Sequence, residues 1–140
     1  MQEFRFYHPI EVRYGDLDPQ GHVNNARYLT YMEQARVAYV RQLGLWDGGS
    51  FFNFGLILAD VHVAFLKPIY FDQKIQVGVR VSRIGNKSLT MEYSLIDQIQ
   101  QELAVSESIL VAFDYHRNNT VPVPDHWRRT IIEFEGLEDA

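Results

Sequence analysis

The chain has 140 residues, no cysteine and a formal net charge of −5. That length suits one domain with a sizeable core, and 46% apolar residues exclude a disordered chain. The missing cysteine excludes disulfides, thiolate zinc sites and a cysteine nucleophile, and the acidic balance without a basic stripe argues against nucleic acid as a partner.

In chain order, Phe4, Phe6, Ile10, Val12 and Tyr14 alternate with polar residues, which predicts a strand over Phe4–Tyr14. Pro9 inside it predicts an edge position or a bulge. From Ala26 to Leu43 the period changes. Tyr28, Met32, Ala35, Tyr39 and Leu43 recur at steps of three and four, which predicts an amphipathic helix of about five turns. Asn24 or Asn25 is its expected N-cap, and Gly44 stands where a helix often ends in a left-handed residue.

Strand periodicity returns at Ile57–Phe65, Ile75–Val81, Leu89–Leu95 and Val105–Phe113. Turn signals fall at Gly85-Asn86 and Asp97–Gln101, and Pro122 and Pro124 lead into a short helical end near Asp125–Phe134. Consecutive strands with short connections are antiparallel. The expected architecture is α+β: a single domain over residues 1–140, one long helix against a five-stranded antiparallel sheet. No run of about 18 apolar residues predicts a membrane span. The first residues lack the order of a secretion signal, so a cytoplasmic location is expected.

The chemistry is expected where the first strand meets the helix, in Tyr14-Gly15-Asp16-Leu17-Asp18-Pro19-Gln20-Gly21-His22-Val23-Asn24-Asn25. Carboxylates there adjoin the positive end of a helix dipole, a neighbourhood suited to a carbonyl oxygen that gains negative charge. Asp16 reads as a turn or cap residue. A calcium loop through Asp16, Asp18 and Gln20 fails because Arg27 replaces the bidentate glutamate at its twelfth position. The other histidines, His8, His62, His116 and His126, lack metal-ligand spacing, and no metal is expected. There is no Gly-x-Ser-x-Gly, which removes the serine-hydrolase reading. Arg83 and Lys87, like Arg128 and Arg129, form small cationic groups that suit a phosphorylated small molecule better than a polyanion.

The run His22-Val23-Asn24-Asn25-Ala26-Arg27-Tyr28-Leu29, with Phe65-Leu66-Lys67-Pro68-Ile69 and Arg83-Ile84-Gly85-Asn86-Lys87-Ser88, resembles the hotdog-fold acyl-CoA thioesterases. These include the 4-hydroxybenzoyl-CoA and long-chain acyl-CoA types, as well as acyl-carrier-protein enzymes. The resemblance implies a helix wrapped by a curved sheet, and hydrolysis of acyl-CoA to free acid and coenzyme A. Asp18 matches that family's base or nucleophile. Asn25 stands where a backbone N–H points at the thioester carbonyl, and His22 matches a histidine of the long-chain and carrier-protein types. Gln20 and Asn25 depart from the residues of other branches. Arg83, Lys87 and Ser88 become the expected clamp for the coenzyme A phosphates. No cofactor is implied beyond the coenzyme A of the substrate, and the expected assembly is a homodimer or homotetramer. Glu33 reads as one half of a surface pair with Arg36 at i+3, the alternative being a buried carboxylate near the site. A carrier-protein thioesterase and a non-catalytic acyl-binding module are the competing functions.

Overall fold

In a computed structural model, the structure describes residues 4–138. Its elements are β1 (Tyr7–Ile10), α1 (Asn25–Gln42), β2 (Leu56–Phe65), β3 (Ile75–Ile84), β4 (Ser88–Ile96), β5 (Glu102–Asp114), β6 (Asn119–Thr120) and α2 (Asp125–Glu135). All strand pairings are antiparallel, in the order β1-β3-β4-β5-β2, with β6 added to β5. This is the hotdog arrangement, a long helix wrapped by the sheet.

The helix starts where its sequence dictates. Asn24 has extended backbone, and its Oδ1 accepts from the Ala26 N–H at 2.9 Å. It ends at Leu43, followed by Gly44 at φ +75°, where a side chain would be strained. Tyr28, Met32, Ala35 and Tyr39 are at most 2% exposed and form the face lying on the sheet. Opposite them stand the alternate residues Val77, Val79 and Val81 of β3 and Leu89, Met91 and Leu95 of β4, all at most 1% exposed. Each large side chain removed from water in this way contributes roughly 1.5–3 kcal/mol.

Helix α2 closes the far end. Trp127 Nε1 donates to the Leu45 carbonyl at 3.1 Å, and one carboxylate oxygen of Glu135 accepts from both the Tyr39 hydroxyl and the Val81 N–H.

The sequence pattern overstates the first strand. Only Tyr7–Ile10 pairs with β3, and Tyr14–Asp16 forms a single tight helical turn instead. The cause is Asp16, whose Oδ2 accepts from the Arg13 N–H at 3.0 Å and folds the chain back before the alternation is complete. Pro9 lies on the edge strand, as a residue without an N–H requires. The sheet also has a sixth, two-residue strand, β6, beyond the five expected.

The sheet has two distinct ends. The start of α1 lies at the end marked by Phe65 and Ile69, through the Val23 N–H on the Ile69 carbonyl (2.8 Å) and the Tyr28 ring against Phe65. The β3–β4 turn lies at the opposite end, with α2. Ten residues of β3 separate them, roughly 30 Å.

Candidate active site

The turn before α1 is built by backbone bonds that leave particular groups free. Asp18 N–H donates to the His22 carbonyl at 2.9 Å, and Gly21 N–H donates to the Asp18 carbonyl at 3.0 Å. Gly21 has φ +88°, which closes this five-residue loop at no steric cost. The Val23 and Asn24 N–H groups donate to the carbonyls of Ile69 and Asp16. The entry to the helix is therefore pinned on both sides.

Beyond those bonds, Ala26 N–H is taken by the Asn24 side chain and Arg27 N–H by the Asn24 carbonyl at 2.8 Å. Asn25 is the first helical residue, so its N–H has no intrahelical acceptor, and it meets no other acceptor among the described residues. A free donor thus stands at the positive end of an 18-residue helix.

Asp18 uses Oδ1 to accept from the Gln20 N–H at 2.9 Å. Its Oδ2 faces His22 Nδ1 at 3.5 Å, too far for a good hydrogen bond but close enough for charge to matter. The two side chains are 19% and 30% exposed, so the carboxylate is sheltered yet reachable. Asp18 and His22 therefore face each other in the turn whose helical end carries the Asn25 N–H.

Asp16 is scaffold. Besides the Arg13 N–H, its carboxylate accepts from the buried Tyr31 hydroxyl at 2.7 Å and faces Arg27 Nε at 3.7 Å. Burial first, and the bond to Asp16 second, push the Tyr31 hydroxyl well above the ordinary tyrosine value. Nothing local in the sequence signals that Tyr31 supports the turn, because the contact spans 15 residues.

Arg83, Lys87 and Ser88 are not brought to this turn. They lie on the β3–β4 connection at the other end of the sheet, with Arg83 and Lys87 exposed and Lys87 Nζ 3.4 Å from the Thr120 hydroxyl. Arg128, expected at most as an extra phosphate ligand, instead donates to the Gly85 carbonyl at 2.9 Å and holds that turn. Glu33 is largely exposed and 3.7 Å from Arg36, the surface pair expected of it.

A cleft of about 180 Å³ opens between α1 and the β2 side of the sheet, because α1 lies over β1 and β3. Arg36 reaches into its wall, where Nη1 donates to the buried Tyr93 hydroxyl at 3.0 Å, and the Ser108 hydroxyl donates to the same oxygen at 3.2 Å. Sequence reading did not find this trio, whose members come from three different elements. Among the described residues no helix is long and apolar enough to cross a membrane.

A long helix wrapped by an antiparallel sheet is the hotdog fold of the thioesterases, and here a free helix N-terminal donor, a carboxylate in the same turn and a cleft along the helix accompany it. The chain belongs to the thioesterase-like superfamily, whose model matches residues 12–131. It is similar to a thioesterase from Thermus thermophilus, solved with coenzyme A and zinc, at 33% identity and a TM-score of 0.84, covering 99% of this chain and 100% of that one. Its sequence is 26% identical over 116 residues to the 1,4-dihydroxy-2-naphthoyl-CoA hydrolase of Thermosynechococcus vestitus, covering 81% of this chain and 80% of that protein. It is also 26% identical over 90 residues to YsmA of Bacillus subtilis strain 168, covering 64% of this chain but only 60% of the length of YsmA.

Proposed function

We propose that the protein hydrolyses acyl-CoA thioesters to the free acid and coenzyme A. The unpaired Asn25 N–H beside Asp18 is the observation that carries this reading. In one route Asp18 removes a proton from water as the oxygen attacks the thioester carbon. In the other the Asp18 carboxylate attacks directly and water then cleaves the mixed anhydride. Both put negative charge on the carbonyl oxygen, where the Asn25 N–H and the helix dipole stabilise it. Removal of one such donor in other enzymes costs about 3–4 kcal/mol. The C–S bond then breaks and coenzyme A leaves as a thiolate, which takes its proton from protonated Asp18 in the first route and from water in the second. His22 Nδ1 stands 3.5 Å from Asp18 Oδ2, on the side of the carboxylate away from the Gln20 N–H. Coenzyme A enters only as part of the substrate, and the reaction as written uses no other cofactor.

Arg83, Lys87 and Ser88 fit this reading in an assembly of two copies. Strand β2 is an open edge of ten residues, with Ile57, Leu58 and Phe65 each 37–43% exposed. Such an edge has a physical motive to pair. Antiparallel pairing of two β2 strands reverses one sheet against the other. The β3–β4 turn of a second copy then approaches the Asp18 end of the first, where Lys87 and Ser88 can meet coenzyme A phosphates. The dihydroxynaphthoyl-CoA hydrolase and the coenzyme A-bound thioesterase among the similar proteins favour acyl-CoA over acyl-carrier protein.

The test is free-thiol release from short, long and aromatic acyl-CoA esters by wild type and Asp18→Asn. Wild type should turn over at least one ester, and Asp18→Asn should lose about 10²–10⁴-fold in kcat. No turnover of any thioester sinks the hydrolase reading, and full activity of Asp18→Asn removes that residue from the reaction.

A further inference from the structure

The cleft along α1 begins at Leu29, one helical turn beyond Asn25, and does not stay apolar. Asn25, Leu29, Met32, Glu33 and Arg36 fall on one stripe of the helix, beside the face buried on the sheet. Leu29, Met32, Leu58 and Val61 give the first part of the cleft apolar walls. Glu33 and Arg36 then border both this cleft and a second chamber of about 500 Å³, lined by Phe51, Phe54 and Leu56. An acyl group attached at the Asn25 end meets a cation before it reaches the second chamber.

Arg36 is held but not saturated. Its side chain is 13% exposed, and Nη1 is bound to the Tyr93 hydroxyl. Tyr93 itself is fully used, since its oxygen also accepts from Ser108 and contacts Met91 Sδ at 3.9 Å. Its task is therefore to fix the guanidinium. The other Arg36 donors have only Glu33 at 3.7 Å, and the Glu33 side chain is 69% exposed. An ion pair so open to water contributes little. No buried polar side-chain atom among the described residues lacks a partner, so the remaining guanidinium N–H groups are reached by solvent. A guanidinium with a fixed plane and open donors is suited to a carboxylate, which it binds with two parallel bonds.

The helix supplies the ruler. Arg36 lies eleven residues beyond Asn25, about 16 Å along the axis; its side chain leans back toward the N-terminus, while a carbonyl oxygen bound to the Asn25 N–H lies about 3 Å outside it. We propose that Arg36, oriented by Tyr93 and Ser108, selects acyl groups carrying a carboxylate about 13–16 Å from the thioester carbon. This rests on the acyl-CoA reading above and names the substrate class for it. Arg36 is a specificity residue here, and Tyr93 and Ser108 position it.

The experiment measures binding, which needs no turnover. The probes are two non-hydrolysable thioethers of coenzyme A with chains of about twelve carbons, matched to that span, one ending in carboxylate and one in methyl. Wild type should bind the carboxylate-ended probe about tenfold more tightly or better, and Arg36→Gln, which keeps a donor for Tyr93, should bring the ratio to about one. Arg36→Met is the second variant, with the same expectation. Equal or tighter binding of the methyl-ended probe by wild type, no binding of either, or an unchanged ratio in a folded Arg36 variant overturns the inference. The sign of the wild-type preference decides even if both variants fail to fold. Probe binding with the expected ratio but no thioester turnover would sink the hydrolase reading alone, and turnover without the preference would sink only this one.

Discussion

Two turns at opposite ends of the sheet have similar polar compositions and opposite designs. The turn from Asp16 to Asn25 leaves groups open: the Asn25 N–H has no acceptor among the described residues, and Asp18 Oδ2 has only His22 at 3.5 Å. The turn from Gly85 to Ser88 is closed. Its Gly85 N–H donates to Ser88, its Asn86 and Lys87 carbonyls accept from Val123 and Ala112, and Arg128 binds the Gly85 carbonyl. One backbone leaves a donor unpaired at a helix N-terminus. The other is a rigid platform whose exposed side chains, Lys87 first, are all it can offer.

The largest effect on this contrast is expected from Asn25→Pro. Asn25 is the first helical residue, and Asn24 before it is extended at φ −62°, ψ 138°, so proline fits the backbone and removes the N–H together with a carboxamide that makes no hydrogen bond among the described residues. The expected result is about a 10²–10³-fold loss of kcat with a melting temperature close to wild type. Unchanged kcat would show that the donor is not used. A smaller effect is expected from Lys87→Ala, since one exposed cation is lost from an intact platform. KM for acyl-CoA should rise, by about tenfold at most, with kcat and thermal stability unaltered. An unchanged KM takes Lys87 out of the substrate site.

The smallest effect concerns the scaffold beneath the open turn. The Tyr31 hydroxyl is buried and bonded to Asp16, so its folded value lies above the ordinary 10.0. The folded state then holds this proton more tightly than the unfolded state. The stabilisation is fully present below about pH 10 and is lost as pH rises further toward the folded value. Wild type should lose stability above about pH 10 more steeply than Tyr31→Phe, as read from thermal melts across that range. Parallel curves would mean that Tyr31 does not link the turn to pH.

Much of this was legible in one dimension. The three-to-four spacing of Tyr28, Met32, Ala35 and Tyr39 located the helix and its buried face, and the alternation from Ile57 to Phe113 located four strands to within a few residues. That Asp18, His22 and Asn25 share one turn was readable because they fall within eight consecutive residues. The first strand was overread because alternation cannot register the Asp16 bond that folds the chain at Arg13.

Whatever depends on near neighbours is therefore written in the chain itself: helix period, strand period, caps, and the reactive turn. Which distant groups share a space is settled only by folding. The fold put Tyr31 under Asp16, sent Arg128 to the Gly85 carbonyl, and gathered Arg36, Tyr93 and Ser108 at one cleft from a helix and two strands. It also separated Lys87 from Asp18 by the length of β3. The physical reason is range. Backbone preferences and capping act over a few residues, whereas the Tyr31, Arg128 and Arg36 contacts span 15, 43 and 57 positions and exist only once the sheet has curled around the helix.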